Sequence, residues 1–201
     1  SRQGAGRSWS GRLEGEAGDK LDRRGAVFDL HPLAIEDVRN PRQRPKVEDY
    51  PNLTFVVARA PRWDGDDELL WQNVGIFLGP DFILTCSPEP VTELDQVERR
   101  LLTQRPGPRT GTVDNVLYQV VDTLVDAYFP VMEGLEDRIE AIETGVVEGA
   151  DKYELAQIQD LKHAVSRMRK TIYPMREAMV GLERGEHPNI TQDTRLYLRD
   201  V

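Results

Sequence analysis

Val113-Asp114-Asn115-Val116-Leu117-Tyr118-Gln119-Val120-Val121-Asp122-Thr123-Leu124-Val125-Asp126-Ala127-Tyr128 opens the stretch of chain that decides the fold. From Leu117 the apolar residues recur at Val121, Leu124, Tyr128, Met132, Leu135, Ile139, Ile142 and Val146, in steps of three and four. That is the helical period, held for longer than an ordinary globular helix needs, so the spacing predicts one long helix. After a turn at Gly145 to Gly149, Ile158, Leu161, Val165, Met168, Ile172, Met175, Met179 and Leu182 continue the same steps. A second long helix is therefore expected to pack back on the first as an antiparallel hairpin, with this stripe as its seam. Pro130 and Pro174 remove donors to the carbonyls of Asp126 and Lys170. Because the apolar phase carries through both, they should kink the helices rather than end them.

Upstream the texture is mixed. The stretch to about Lys20 is rich in Gly, Ser and charge and reads as a frayed end or an edge strand around Ser8-Trp9-Ser10. Pro32 is placed to open a short helix that stops before Asn40-Pro41. Leu53 to Ala58, within Lys46 to Ala60, is a β-branched and aromatic run that predicts a strand, and Pro61 to Asp67 predicts a turn. Leu69 to Leu78 and Phe82 to Cys86, joined by Gly79-Pro80-Asp81, predict a hairpin, and Thr92 to Thr103 predicts a helix with Leu94, Val97 and Leu101 on one face. Strands and helices in this order imply an α/β layer ahead of the long helices. A last helix is expected behind Asn189-Ile190-Thr191.

Composition narrows the function classes. The 201 residues hold 26 Lys plus Arg against 35 Asp plus Glu, a formal charge of −9. Residues 1–113 contribute −2 of this and residues 114–201 contribute −7. Such a balance argues against a nucleic-acid face and makes cations the more natural partners. The single cysteine, Cys86, lies in an apolar strand and reads as a packed thiol rather than a nucleophile. No apolar window approaches a membrane span and no signal-peptide core is visible, so the chain as given is expected to be soluble and cytoplasmic.

Enzymatic chemistry finds little support. Gly107 to Thr112 lacks the Gly-Lys-Ser/Thr ending of a phosphate loop and reads as a linker. His31, His163 and His187 have no second ligand at zinc spacing, and Ser87 and Ser166 sit in no nucleophile elbow. The carboxylates stand out: Asp64, Asp66, Asp67 and Glu68 crowd one turn, and Asp122, Asp126, Glu133, Glu136, Asp137, Glu140 and Glu143 run along the long helix. Most of these read as a solvated face, and the functional alternative is a hard divalent cation such as magnesium.

His31-Pro32-Leu33-Ala34-Ile35-Glu36-Asp37-Val38, followed by Asn40-Pro41-Arg42-Gln43-Arg44-Pro45-Lys46-Val47-Glu48, closely resembles the opening signature of the CorA family of magnesium and cobalt transporters. Leu117-Tyr118, Asp122 to Phe129, Leu161-Lys162, Arg167, Arg169-Lys170, Tyr173 to Glu177 and Tyr197 to Val201 keep that family's order and spacing, so the resemblance runs from about residue 25 to the end. It implies an α/β/α sandwich with a mixed sheet, then long antiparallel helices and the start of a stalk helix. The domains would be an α/β cytoplasmic domain over 1–113, a helical hairpin over 114–187 and the beginning of the stalk over 188–201. On this reading the chain is the cytoplasmic, cation-sensing part of a homopentameric channel of the inner membrane. The membrane spans and the pore would lie beyond Val201.

The resemblance also implies a regulatory ligand, magnesium or cobalt, held between neighbouring protomers by carboxylates. Asp64 and Asp200 fall on the paired sensor positions and Asp122 on a nearby secondary acid, with Asp66 and Asp67 as alternatives to Asp64. Bound cation would cancel repulsion across the interface, and its loss would let the subunits splay. Two other readings remain: a zinc or other transition-metal transporter on the same scaffold, and a soluble coiled-coil scaffold binding a partner helix along Met168, Met175 and Met179. Without cations, charge repulsion should leave the chain a monomer or weak oligomer.

Overall fold

Leu53 to Ala60 is apolar or small at almost every position, which marks a strand covered on both faces rather than one. In the computed structural model, which describes residues 9–14, 18–63, 69–103, 111–149 and 152–201, this run lies in a five-stranded sheet. The strands are β1 (Trp9–Glu14), β2 (Lys46–Tyr50), β3 (Leu53–Trp63), β4 (Leu69–Leu78) and β5 (Phe82–Ser87). Their order is β1-β5-β4-β3-β2, with β1 parallel to β5 and the other pairs antiparallel, so the sheet is mixed as expected.

Alternation along β3 assigns the two layers. Phe55 and Val57 face one core with Phe77, Leu84, Cys86, and Ala34 and Val38 from α2 (Pro32–Arg39). Leu21 and Leu30 bring α1 (Gly18–Phe28) and the turn after it into the same layer. Gly75 permits the close approach of α2, since a Cβ there would lie 2.5 Å from Val38 Cγ2. Val56, Ala58 and Ala60 face the other core, which holds α3 (Thr92–Thr103), α4 (Val113–Asp126), the last turns of α6 (Lys152–Arg184) and α7 (Gln192–Leu198). The result is an α/β/α sandwich. Cys86 is fully buried and burial pushes its thiol up to about 12, as fits a packed thiol.

Three expectations need correction. The first long helix is two: α4 ends at Asp126 and α5 (Tyr128–Gly149) begins after Ala127. Pro130 therefore occupies the first turn of a helix, where a missing N–H costs nothing, whereas Pro174 sits inside α6, which continues through it. The strand β3 runs through Pro61 to Trp63, past the expected start of the turn. Pro61 is tolerated because β2 pairs only with Leu53 to Val57, leaving that edge of β3 open. The seam of α6 holds at Met168, Met175, Met179 and Leu182 but not throughout. Ile158, Val165 and Ile172 are exposed, while Ala164, Met168, Thr171, Met175, Ala178 and Leu182 are buried. Small residues at Ala164, Thr171 and Ala178 let the helix lie close to its neighbours, so tracking only large apolar residues misses those positions and adds Ile158, Val165 and Ile172.

The α5–α6 hairpin is antiparallel as expected, with Val131 and Leu135 against Ala164 and Met168 over Leu69 and Tyr128. Glu133, Glu136, Asp137, Glu140 and Glu143 all face solvent.

Candidate functional site: a carboxylate cluster between α4 and α7

Tyr118, Asp122 and Asp126 are spaced by four residues, which stacks them on one face of α4 while Leu117, Val121 and Leu124 enter the core. The partner face comes from α7. Thr191 caps that helix, its hydroxyl accepting from the Thr194 N–H at 3.3 Å. The cap is fixed to the start of α4 by Asp114, whose Oδ2 accepts from the Thr191 N–H at 2.9 Å and the Thr191 hydroxyl at 2.7 Å. Asn189 donates to the Leu78 carbonyl at 3.2 Å, tying the same turn to the end of β4. His187, buried, anchors the preceding loop: Nδ1 lies 2.7 Å from Asp49 Oδ2 on β2 and Nε2 lies 2.9 Å from the Gly181 carbonyl. So placed, α7 lays Tyr197 against Tyr118, ring centroids 5.3 Å apart, and brings Asp200 to the acids of α4.

The electrostatics record that meeting. Burial raises the Asp122 carboxyl above its ordinary value, Asp126 and Asp200 raise it further, and Arg100 opposes them. The Tyr118 phenol is raised by burial and then by Asp122, Asp200 and Asp126. The carboxylates of Asp126 and Asp200 thus act on Asp122 against Arg100, and a further cation there would relieve their repulsion. Carboxylate oxygens suit a hard divalent ion such as magnesium. Yet among the described residues no three His, Cys, Asp or Glu side chains converge closely enough to hold a metal ion.

Of the acids singled out from sequence, Asp126 and Asp200 lie near enough to Asp122 to raise its carboxyl. Asp64, with Asp66 and Asp67, lies outside the described residues. The supports that sequence reasoning missed are Asp114, His187 and Asp49. Their buried or half-buried partners lie far away along the chain, and no spacing motif signals them. Beside Asp200 runs an apolar groove of about 460 Å³, bordered by Phe129, Met132, Ile172, Val180, Leu198 and Val201.

The architecture is that of the soluble domain of CorA from Methanocaldococcus jannaschii, with a TM-score of 0.82 at 17% identity, covering 94% of this chain and 75% of that one. A family model described as CorA-like Mg2+ transporter protein matches residues 16–201, and the chain belongs to the CorA family. It is 35% identical over 184 residues to the cobalt/magnesium transport protein CorA of Thermotoga maritima, covering 91% of this chain and 52% of that protein. It is 30% identical over 174 residues to the putative metal ion transporter YfjQ of Bacillus subtilis, covering 87% and 53%. The chain thus spans about half the length of these relatives. Among the described residues no helix is long and apolar enough to cross a membrane.

Proposed function

We propose that this chain is the cation-sensing, cytoplasmic portion of a magnesium and cobalt transport protein of the inner membrane, assembled as a homopentamer and gated by intracellular magnesium. The observation that carries the reading is that half-buried Asp122 feels the like charges of exposed Asp126 and Asp200, with Arg100 as the opposing charge. Within a protomer the set is incomplete. A carboxylate from a neighbouring copy, supplied by Asp64, Asp66 or Asp67, would complete it. The groove beside Asp200, with Phe129 57% exposed, supports a neighbouring copy on this side.

On this proposal magnesium bridges the carboxylates of adjacent subunits and favours the closed assembly because it binds that arrangement better than the splayed one. When the ion leaves, repulsion returns and the subunits separate. The divisions of the chain follow the same logic: a sandwich over 1–113, a hairpin over 114–187, and 188–201 leading toward the membrane part of the whole protein. In the full-length protein, Asp64→Ala combined with Asp200→Ala should remove the protection that magnesium gives against limited proteolysis. Protection equal to that of the unaltered protein would overturn the assignment of these two residues.

A further inference from the structure

A second charged cavity lies elsewhere in the fold and has the opposite sign. A cleft of about 580 Å³ opens between the loop after α2, β3, β4 and the middle of α6. Arg42, Arg44, Arg59, Arg167 and Lys170 line it together with Trp71, and no Asp or Glu is among the described residues of its wall. In a chain of net charge −9, five cations around one cleft run against the composition.

The cleft is held in shape by its own polar contacts. Arg59 donates through Nε to Asn73 Oδ1 at 2.8 Å and through Nη2 to the Pro41 carbonyl at 2.9 Å. Asn73 in turn donates to the Asn40 carbonyl at 2.7 Å, and Asn40 Oδ1 accepts from the Arg42 N–H at 3.0 Å. The loop bearing Arg42 and Arg44 is thereby fixed to the sheet. Every acceptor that Arg59 uses is neutral, and burial lowers its hold on its proton with no carboxylate to compensate. Among the described residues Arg42, Arg44, Arg59 and Lys170 form no ion pair with an acid. The Trp71 indole N–H is buried and has no acceptor among them. Arg167 and Lys170, one helical turn apart, supply the opposite wall.

We infer that this cleft is a binding site for a small polyphosphate anion, either free or as the phosphate chain of a nucleotide. Guanidinium forks pair with phosphate oxygens two at a time, and a volume of this size accommodates such a ligand. The loop and α6 face each other across this cleft, so an anion between Arg44 and Lys170 would tie the long helix to the loop.

Calorimetric titration of the 201-residue chain in metal-free buffer, with tripolyphosphate in one arm and ATP in the other, tests the inference. Saturable one-to-one binding is expected. Arg44→Gln with Lys170→Gln, both exposed and so compatible with folding, should weaken it at least about tenfold, since a single charge-assisted contact is worth on the order of that factor. Arg184→Gln, outside the cleft, should leave it unchanged. Equal affinities in the two arms assign the ligand as free polyphosphate, and tighter ATP binding assigns a nucleotide. Absence of saturable binding, or equal weakening by Arg184→Gln, overturns the inference.

Discussion

Asp114 shows how one buried carboxylate can set the position of a distant helix. It is 2% exposed, and burial alone would raise its proton affinity, but hydrogen bonds from Thr112 and Thr191 hold it below the ordinary 3.8. A depressed folded value stabilises the fold above 3.8, and that contribution is lost as pH falls below it toward the folded value. Asp114→Asn should cost about 1–3 kcal/mol in urea unfolding at neutral pH and should flatten the loss of stability in acid. Asp122 has the opposite sign. Its raised value means that the folded state is penalised as pH rises through the window above 3.8, and protonation or a bound cation relieves the penalty. Asp126→Asn should therefore move the Asp122 carboxyl titration, followed by carbon-13 NMR, toward lower pH. An unmoved titration would mean that the two acids do not interact. Asp122 and Asp200 were open to sequence reasoning only through family resemblance, because such sites leave no spacing signature. Asp114 and Thr191 were not legible as partners, since nothing local couples a helix start to a cap so far along the chain.

Element by element, periodicity carried the reading where packing was one-sided and failed where it was not. The helix Thr92–Thr103 and the hairpin strand Leu69–Leu78 begin and end where their patterns do. α1 went unread because its charged, Gly-containing segment contributes few large apolar residues to the core. β2 carries only partly buried or exposed side chains at the open edge of the sheet, so it gave no strong strand signal. α6 gave the right helix and part of its stripe: Met168, Met175, Met179 and Leu182 are buried as expected, but Ile158, Val165 and Ile172 are not, since Ala164, Thr171 and Ala178 take the inner positions and do not register as apolar anchors. Buried and exposed members of the expected seam should separate cleanly in mutation. Leu182→Ala should lose about 2–5 kcal/mol, the range for a fully buried leucine, whereas Ile158→Ala at 42% exposure should lose under about 1 kcal/mol. The outer turns of the hairpin, where Ile139 and Ile158 are both exposed, should also exchange amide hydrogens faster than the stretch from Ala164 to Leu182. Uniform protection along α6 would contradict this.

At the scale of the whole molecule, the chain combines an acidic cluster at the α4–α7 crossing with a basic cleft at the root of the hairpin, both referenced to the same sheet. The sandwich and the antiparallel hairpin were legible from composition, period and resemblance together. The break at Ala127 was not, because apolar phase continues across it even though the backbone divides there. The central claim is that the acids of one copy are an incomplete cation site finished by another. It is tested most directly by measuring the mass of the 201-residue chain by light scattering while titrating magnesium after EDTA, alongside its melting temperature. A rise in both, absent in Asp122→Asn with Asp200→Asn, is the predicted result, since a ligand stabilises only the state it binds. A mass and melting temperature indifferent to magnesium, or a response retained in full by the double variant, would contradict it.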